Sequence, residues 1–118
     1  MSLNYKTADW KSEKHVPVID CPDSVSGEFA VTVTVGKEIA HPNTVEHHIR
    51  WIRLYFTPEE GLPVEIACFD FSAHGEGGAL TSSTGSATVT LEKSGTFTAT
   101  SYCNLHGLWE SSKAVTVG

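Results

Sequence analysis

Imidazole and thiol groups that could bind a metal recur at short spacings in this 118-residue chain. Cys103 and His106 lie three residues apart where a predicted strand gives way to a loop, so both side chains can turn toward one point. His41 and His47 lie six residues apart, the first in a Pro- and Asn-containing loop and the second at the start of a predicted strand. Imidazole and thiolate together suit Zn, Cu and Fe, whereas Mg and Ca prefer clustered carboxylates. With His15 added to these two pairs, the residue types and spacing predict a transition-metal site.

The remaining histidines and cysteines are not expected to join this site. His48 directly follows His47. Because successive side chains of a strand point to opposite faces, these two imidazoles cannot both face one metal. His74 lies in a Gly- and Ser-rich segment with no partner in sequence. We interpret Cys21 and Cys68 as small buried or half-buried residues, and leave them out as well.

The elements that must position the ligands are predicted to be β-strands. Some segments alternate apolar and polar residues with the period of two that half-buried strands show. Others are rich in β-branched and aromatic residues and are bounded by Gly, Pro or Ser. The segments are residues 29–35, 87–91, 96–100, 49–56, 64–71 and 114–117. Because no sustained helical period follows the N-terminal residues, we predict an all-β fold. An immunoglobulin-like antiparallel β-sandwich of about seven strands fits best, with a small closed barrel as the alternative.

Two connections between these segments carry specific expectations. Lys93, Ser94 and Gly95 predict a hairpin turn, with Gly95 supplying backbone freedom and the two flanking strands as antiparallel neighbours. Residues 72–85 are dense in Gly and Ser, so we expect a long surface loop that is mobile or packed against a neighbouring subunit.

Composition limits the classes of function. The length predicts a single domain over residues 1–118. A formal net charge of −6 with scattered Lys and Arg argues against a nucleic-acid partner. No apolar run approaches the roughly 18 residues of a membrane-spanning helix, and residues 1–14 lack the apolar core of a signal peptide. We therefore expect a cytoplasmic protein without a membrane partner. Three cysteines, an odd number, fit reduced thiols better than a disulfide framework.

Three other functions stay open from the residues alone. A blue-copper electron carrier is also a small β-sandwich with an early His and a late Cys and His, but its usual axial Met has no counterpart here except Met1. A structural zinc domain without catalysis would use two of the middle histidines with Cys103 and His106. A Cys-His hydrolase would use Cys103 as its nucleophile, although no orienting residue lies at a meaningful spacing.

Three motifs of the chain strongly resemble those of superoxide reductases of the neelaredoxin type, the single-iron relatives of desulfoferrodoxin. They are EKHVPVI at residues 13–19, HPNT at 41–44 with EHHIRWI at 46–52, and SYCNLHGLWE at 101–110. The motifs occur in the family's order and at comparable separations, which makes the resemblance far more specific than one short pattern. No Cys-x-x-Cys motif is present, so the resemblance does not extend to the rubredoxin-like iron module of desulfoferrodoxins.

The resemblance implies both the fold and the chemistry of that family. It implies an immunoglobulin-like sandwich that holds one mononuclear iron, Fe2+ or Fe3+, through four equatorial imidazoles and one axial thiolate. Carried over by motif, these ligands are His15, His41, His47, His106 and Cys103. Glu13 resembles the carboxylate that fills the sixth position in the oxidised resting state, and Lys14 resembles the cation beside that position. The implied reaction reduces superoxide to hydrogen peroxide with an external electron donor, a rubredoxin in this family, in a protein that is often a homotetramer.

Overall fold

The computed structural model describes residues 3–8 and 15–118, and this part of the chain contains eight β-strands. The strands are β1 (Val18–Asp20), β2 (Ser24–Val25), β3 (Glu28–Thr34), β4 (Ile49–Pro58), β5 (Val64–Asp70), β6 (Thr84–Thr90), β7 (Gly95–Cys103) and β8 (Gly107–Val117). One short 3-10 turn, Glu76–Gly78, interrupts the connection between β5 and β6. Within the described residues, no helix is long and apolar enough to cross a membrane.

The strands form two sheets. One has the order β1-β3-β6 and the other the order β2-β8-β7-β4-β5. All pairs are antiparallel except the short parallel pair of β2 with β8. The order β8-β7-β4 opposite β1-β3-β6 corresponds to the G-F-C and A-B-E strands of an immunoglobulin sandwich. The prediction of an all-β immunoglobulin-like sandwich is confirmed, with the short strands β1 and β2 lying outside the predicted segments.

The core lies between the two sheets and follows from residue alternation. On β3, Val31 and Val33 are fully buried, while Thr32 between them is more exposed. On the facing sheet, Ile52 and Leu54 of β4 and Phe97 of β7 are also fully buried. A strand points alternate side chains to opposite faces, so each strand supplies every second residue to the core. This packing fixes the ends of β4 and β7, from which the site is built.

The connection between β6 and β7, residues 91–94, crosses from one sheet to the other. β6 pairs with β3, whereas β7 pairs with β4 and β8. The prediction that the two flanking strands are antiparallel neighbours is therefore wrong. Alternation reveals that each strand buries one face, but both sheets of a sandwich present such faces, and a short connection can span the roughly 10 Å between them.

Gly95 is needed for a different reason from the one that the sequence suggested. It does not have a positive φ. A Cβ at this position would instead overlap the carbonyl oxygen of Thr57 and lie 2.7 Å from the Phe56 ring. Gly95 thus permits β7 to approach β4 closely at the pair Pro58 and Gly95.

The Gly- and Ser-rich segment that begins at residue 72 packs against its own chain. Asn43 donates its amide N–H to the carbonyl of Thr81 at 3.0 Å, and the Ser83 hydroxyl donates to the carbonyl of Val35 at 2.8 Å. His74 in the same segment is only 6% exposed. The last two residues of the predicted loop already belong to β6. This segment therefore supports the loop of residues 41–48, which carries two of the predicted ligands.

Candidate metal centre

Cys103 and His106 are held by the hairpin that joins β7 to β8. Cys103 pairs with Gly107 across the hairpin, and Gly107 has the left-handed φ of +83° that a three-residue reversal needs. Cys103 is fully buried and His106 is half-buried. The Cys103 Sγ lies 3.7 Å from the His106 Nδ1. The predicted pair therefore does converge on one point, at the end of the sheet.

The loop before β4 brings His41 and His47 to the same point. The His41 Nδ1 lies 2.7 Å from the Pro42 carbonyl oxygen, and because a carbonyl only accepts, Nδ1 donates and Nε2 keeps its lone pair. That Nε2 lies 3.5 Å from the Cys103 Sγ. His47 is positioned by a tight turn in which its backbone N–H donates to the Thr44 hydroxyl at 3.0 Å. Such bonds orient metal-binding imidazoles in proteins generally.

His15 approaches the site from the N-terminal side of β1 and is fully buried. Its backbone carbonyl accepts a hydrogen bond of 3.0 Å from the Ser101 hydroxyl on β7. Its ring stacks on the indole of Trp109 on β8, with centroids 4.6 Å apart and planes 12° from parallel. Its Nε2 lies 3.1 Å from the His106 Nδ1. Two adjacent strands of the larger sheet therefore position His15, β7 through its backbone and β8 through its ring.

The four imidazole rings form a square. Going round it, neighbouring ring centroids are 4.7 Å apart for His15 and His41, 4.8 Å for His41 and His47, and 4.9 Å for both His47 with His106 and His106 with His15. Neighbouring planes are steeply inclined, at 72° to 81°. Across the diagonal, His15 and His47 are 6.4 Å apart and closer to parallel, at 26°. The four rings therefore surround one central space.

The distances between ligand atoms fit a shared metal. The ligand atoms of His15, His47, Cys103 and His106 all lie within 4.8 Å of one another. His41 stands outside this group of four but reaches the Cys103 sulfur at 3.5 Å. Two nitrogens bound at right angles, each about 2.1 Å from a metal, are roughly 3 Å apart, and the His15 and His106 nitrogens are 3.1 Å apart. Four imidazoles and one thiolate also suit iron chemically.

The other predicted residues lie as follows. Glu13 and Lys14 fall outside the described residues. His48 points away from the square, because its ring stacks on His74 with centroids 3.6 Å apart and its Nδ1 lies 2.9 Å from the Thr44 carbonyl oxygen. His48 is therefore outside the square, as expected, but strand alternation is not the reason, because His47 and His48 both precede β4.

The cysteines outside the site differ from each other. Cys21 is half-buried, as expected, and burial raises the pKa of its thiol. Cys68 is exposed, so the expectation that it is buried or half-buried is wrong. It lies on β5 opposite Arg53, on the outer face of the sheet. No disulfide joins Cys21, Cys68 and Cys103, in agreement with the prediction of reduced thiols.

Two residues near the site were missed in the sequence. Trp109 is fully buried and stacks on His15, while the Lys6 ammonium lies 5.3 Å from the centroid of its indole. Trp109 was missed because the predicted strand began at residue 114, whereas β8 begins at Gly107. Polar residues at 110–113 hid the strand. Asn104, between the two ligands of the hairpin, was also missed.

Comparison with known proteins agrees with this geometry. A family model described as desulfoferrodoxin matches residues 7–112. The chain is 53% identical to the neelaredoxin of Megalodesulfovibrio gigas over 121 residues, covering 94% of this chain and 93% of that protein. It is 47% identical to the superoxide reductase of Pyrococcus furiosus over 120 residues, covering 94% and 95% respectively.

A solved structure gives the same result. The superoxide reductase (neelaredoxin) of Archaeoglobus fulgidus, a mutant in the reduced form, matches with a TM-score of 0.88 at 45% identity. The match covers 95% of this chain and 98% of that chain. Because the family model spans most of the sequence and these relatives match it over nearly their full length, the protein belongs to the desulfoferrodoxin family.

Proposed function

We propose that this protein is a superoxide reductase, which converts superoxide to hydrogen peroxide at one mononuclear iron. The observation that carries the proposal is the square of four imidazoles with the buried Cys103 sulfur 3.5 Å and 3.7 Å from two of their nitrogens. Relatives of about half identity that are named neelaredoxin or superoxide reductase support it. Four histidines also exceed the two that a blue-copper site uses.

In this proposal each residue of the site has a distinct task. His15, His41, His47, His106 and Cys103 hold the iron, which when bound supplies single electrons by cycling between Fe2+ and Fe3+. Neutral imidazoles add no charge, so the cation remains attractive to an anion. The Cys103 thiolate donates electron density, which is one of the means by which a protein tunes an iron centre. Glu13 closes the site as a carboxylate ligand in the oxidised resting state.

The reaction itself can be tested by counting products. Superoxide needs one electron and two protons to become hydrogen peroxide. In stopped-flow mixing, the iron-loaded, reduced protein should yield one peroxide for each superoxide consumed while its oxidised spectrum develops. A yield of one peroxide for two superoxides, without oxidation of the protein, would identify a dismutase instead. A protein that holds only zinc after reconstitution with Fe2+ would favour the structural-metal function.

Lys14 is proposed to attract superoxide and to organise the water that supplies the protons. One positive charge about 6 Å away is worth roughly 2 to 3 kcal/mol at an effective dielectric near 20, and the chain has a net charge of −6. Because salt screens much of this attraction, Lys14→Ala should slow the bimolecular step about tenfold and weaken its salt dependence. Lys93→Ala is the control, because it removes the same charge at the opposite end of β7 from the site. Lys93 lies near the start of this strand, and Cys103 is its last residue. Equal rates in both variants would remove Lys14 from the mechanism.

Glu13 is proposed to act after the first encounter with superoxide. Glu13→Gln should therefore change the visible spectrum of the oxidised resting protein and leave the initial bimolecular rate near that of the unaltered protein. Stopped-flow traces recorded at several superoxide concentrations separate these two effects. A large fall in the initial rate would assign Glu13 to substrate capture instead.

The remaining parts of the proposal rest on resemblance to the family for the electron donor and the assembly, and on composition and length for the location and the domain count. We expect a rubredoxin as the electron donor, a homo-oligomer such as a tetramer, a cytoplasmic location and a single domain. Reoxidation of a reduced rubredoxin by superoxide in the presence of the protein, followed by absorbance, tests the donor.

A further inference from the structure

Asn104 joins the two segments that carry Cys103 and His47. Its side-chain Oδ1 accepts the backbone N–H of His48 at 2.8 Å, and its Nδ2 donates to the carbonyl of Glu46 at 2.9 Å. Its own backbone N–H donates to the carbonyl of His48 at 3.2 Å. The side chain of Asn104 thus forms hydrogen bonds with the backbone immediately before and immediately after His47.

These hydrogen bonds lie beyond the point where the pairing of β4 with β7 aligns the segments that carry His47 and Cys103. The pairing of β4 with β7 has an irregularity between Ile49 and Trp51, and its last pair is Ile49 with Cys103. His47 lies beyond that pair. The hydrogen bonds between Thr44 and His47 fix the shape of the loop itself. The bonds of Asn104 connect that loop to the strand end that presents the Cys103 sulfur.

We propose that Asn104 is a positioning residue that sets the placement of the His47 imidazole relative to the Cys103 sulfur. The inference rests on the proposed iron site but not on superoxide as the substrate. Asn104 makes no contact with the metal in this proposal; it acts through the backbone on each side of His47. Outer residues of this kind typically change metal affinity or activity by about 10- to 100-fold when they are replaced.

Three variants of the iron-loaded protein test this role. Asn104→Ala removes both side-chain bonds, whereas Asn104→Asp keeps an acceptor for the His48 N–H and loses the donor to Glu46. Ser94→Ala is the matched control, since the Ser94 hydroxyl accepts the Val117 backbone N–H at 2.8 Å beside the far end of β7. The measurements are the Fe2+ affinity by chelator competition, the energy of the thiolate-to-iron band in the oxidised protein, and the melting temperature.

Both Asn104 variants should bind Fe2+ about tenfold or more weakly and shift the band, with the larger change in Asn104→Ala. Ser94→Ala should lower the melting temperature and leave the affinity and the band unchanged. If the Asn104 variants lose stability only, with native affinity and band, the residue is structural and the inference is wrong. If Asn104→Ala does not fold, Asn104→Asp decides alone by the same criteria. A normal band in a protein that does not reduce superoxide would refute the proposed function without touching this inference.

Discussion

Cys103→Ser is expected to abolish the visible band of the oxidised iron protein and to lower superoxide reduction by more than roughly 100-fold, beyond the loss typical of outer residues. The residue is fully buried, and its sulfur lies within 3.7 Å of the nitrogens of His41 and His106. A serine hydroxyl is nearly the same size but is a much poorer donor to iron and has no thiolate electrons to give the band. Absorbance spectra before and after oxidation, with iron analysis, measure the effect.

Cys68→Ser provides the matched control for this change. It makes the same substitution at an exposed thiol on β5, opposite Arg53. Its spectrum and its rate should equal those of the unaltered protein. Survival of the band in the Cys103→Ser protein, or its loss in the Cys68→Ser protein, would overturn the assignment of Cys103. Equal far-UV circular dichroism of both variants would establish that the fold itself is intact.

Gly95→Ala is expected to destabilise the fold by about 3 kcal/mol or more, at or above the upper end of the usual cost of overpacking. The added Cβ would overlap the carbonyl oxygen of Thr57, and backbone atoms of a paired strand cannot move aside as a flexible side chain can. A loss of this size should lower the melting temperature by about 10 °C or more in a chain of this length. Urea unfolding of the iron-loaded protein, followed by circular dichroism, gives the free energy.

Gly27→Ala separates this effect from backbone strain. Gly27 has a φ of +74°, and a Cβ there would meet no atom within 4 Å. Its replacement should therefore cost only the roughly 1 to 2 kcal/mol of a left-handed residue with a side chain. If the two glycine variants are equally stable, the close approach of β7 to β4 does not explain why glycine is needed at position 95.

The proposed metal ligands could be predicted because few residue types offer imidazole or thiolate donors. Only His and Cys offer these donor atoms, and the pairs in 41–47 and 103–106 are local, so spacing alone brings each pair together. His15 is 91 residues from His106 in sequence, yet their nitrogens lie 3.1 Å apart. That contact is created by the sheets; residue type made His15 a candidate, but only resemblance to a family assigned it as a ligand beside His106. The roles of Glu13 and Lys14 stay predictions.

The fold was predictable where one face of a strand is apolar. The prediction of a strand at residues 29–35 differs from β3 by one residue at each end, since Val31 and Val33 alternate with polar residues. Most of β8 was missed because residues 110–113 are polar. In the structure the Ser111 hydroxyl donates to the carbonyl of Pro17, and the Lys113 ammonium donates to Asp23 at 2.7 Å. Both partners are about 90 residues away, so no local pattern reveals them.

The square of imidazoles draws its corners from positions 15, 41, 47 and 106, so almost the whole chain must fold before a complete site exists. Neither the 41–47 pair nor the 103–106 pair alone offers more than part of the donor set. Metal binding at this site and global folding are therefore thermodynamically linked, since an ion that binds only the native chain stabilises it in proportion to the logarithm of the free metal concentration. By the same linkage, global unfolding should release the metal, and in the proposed iron protein the colour of the oxidised form should then fall in step with the native fraction.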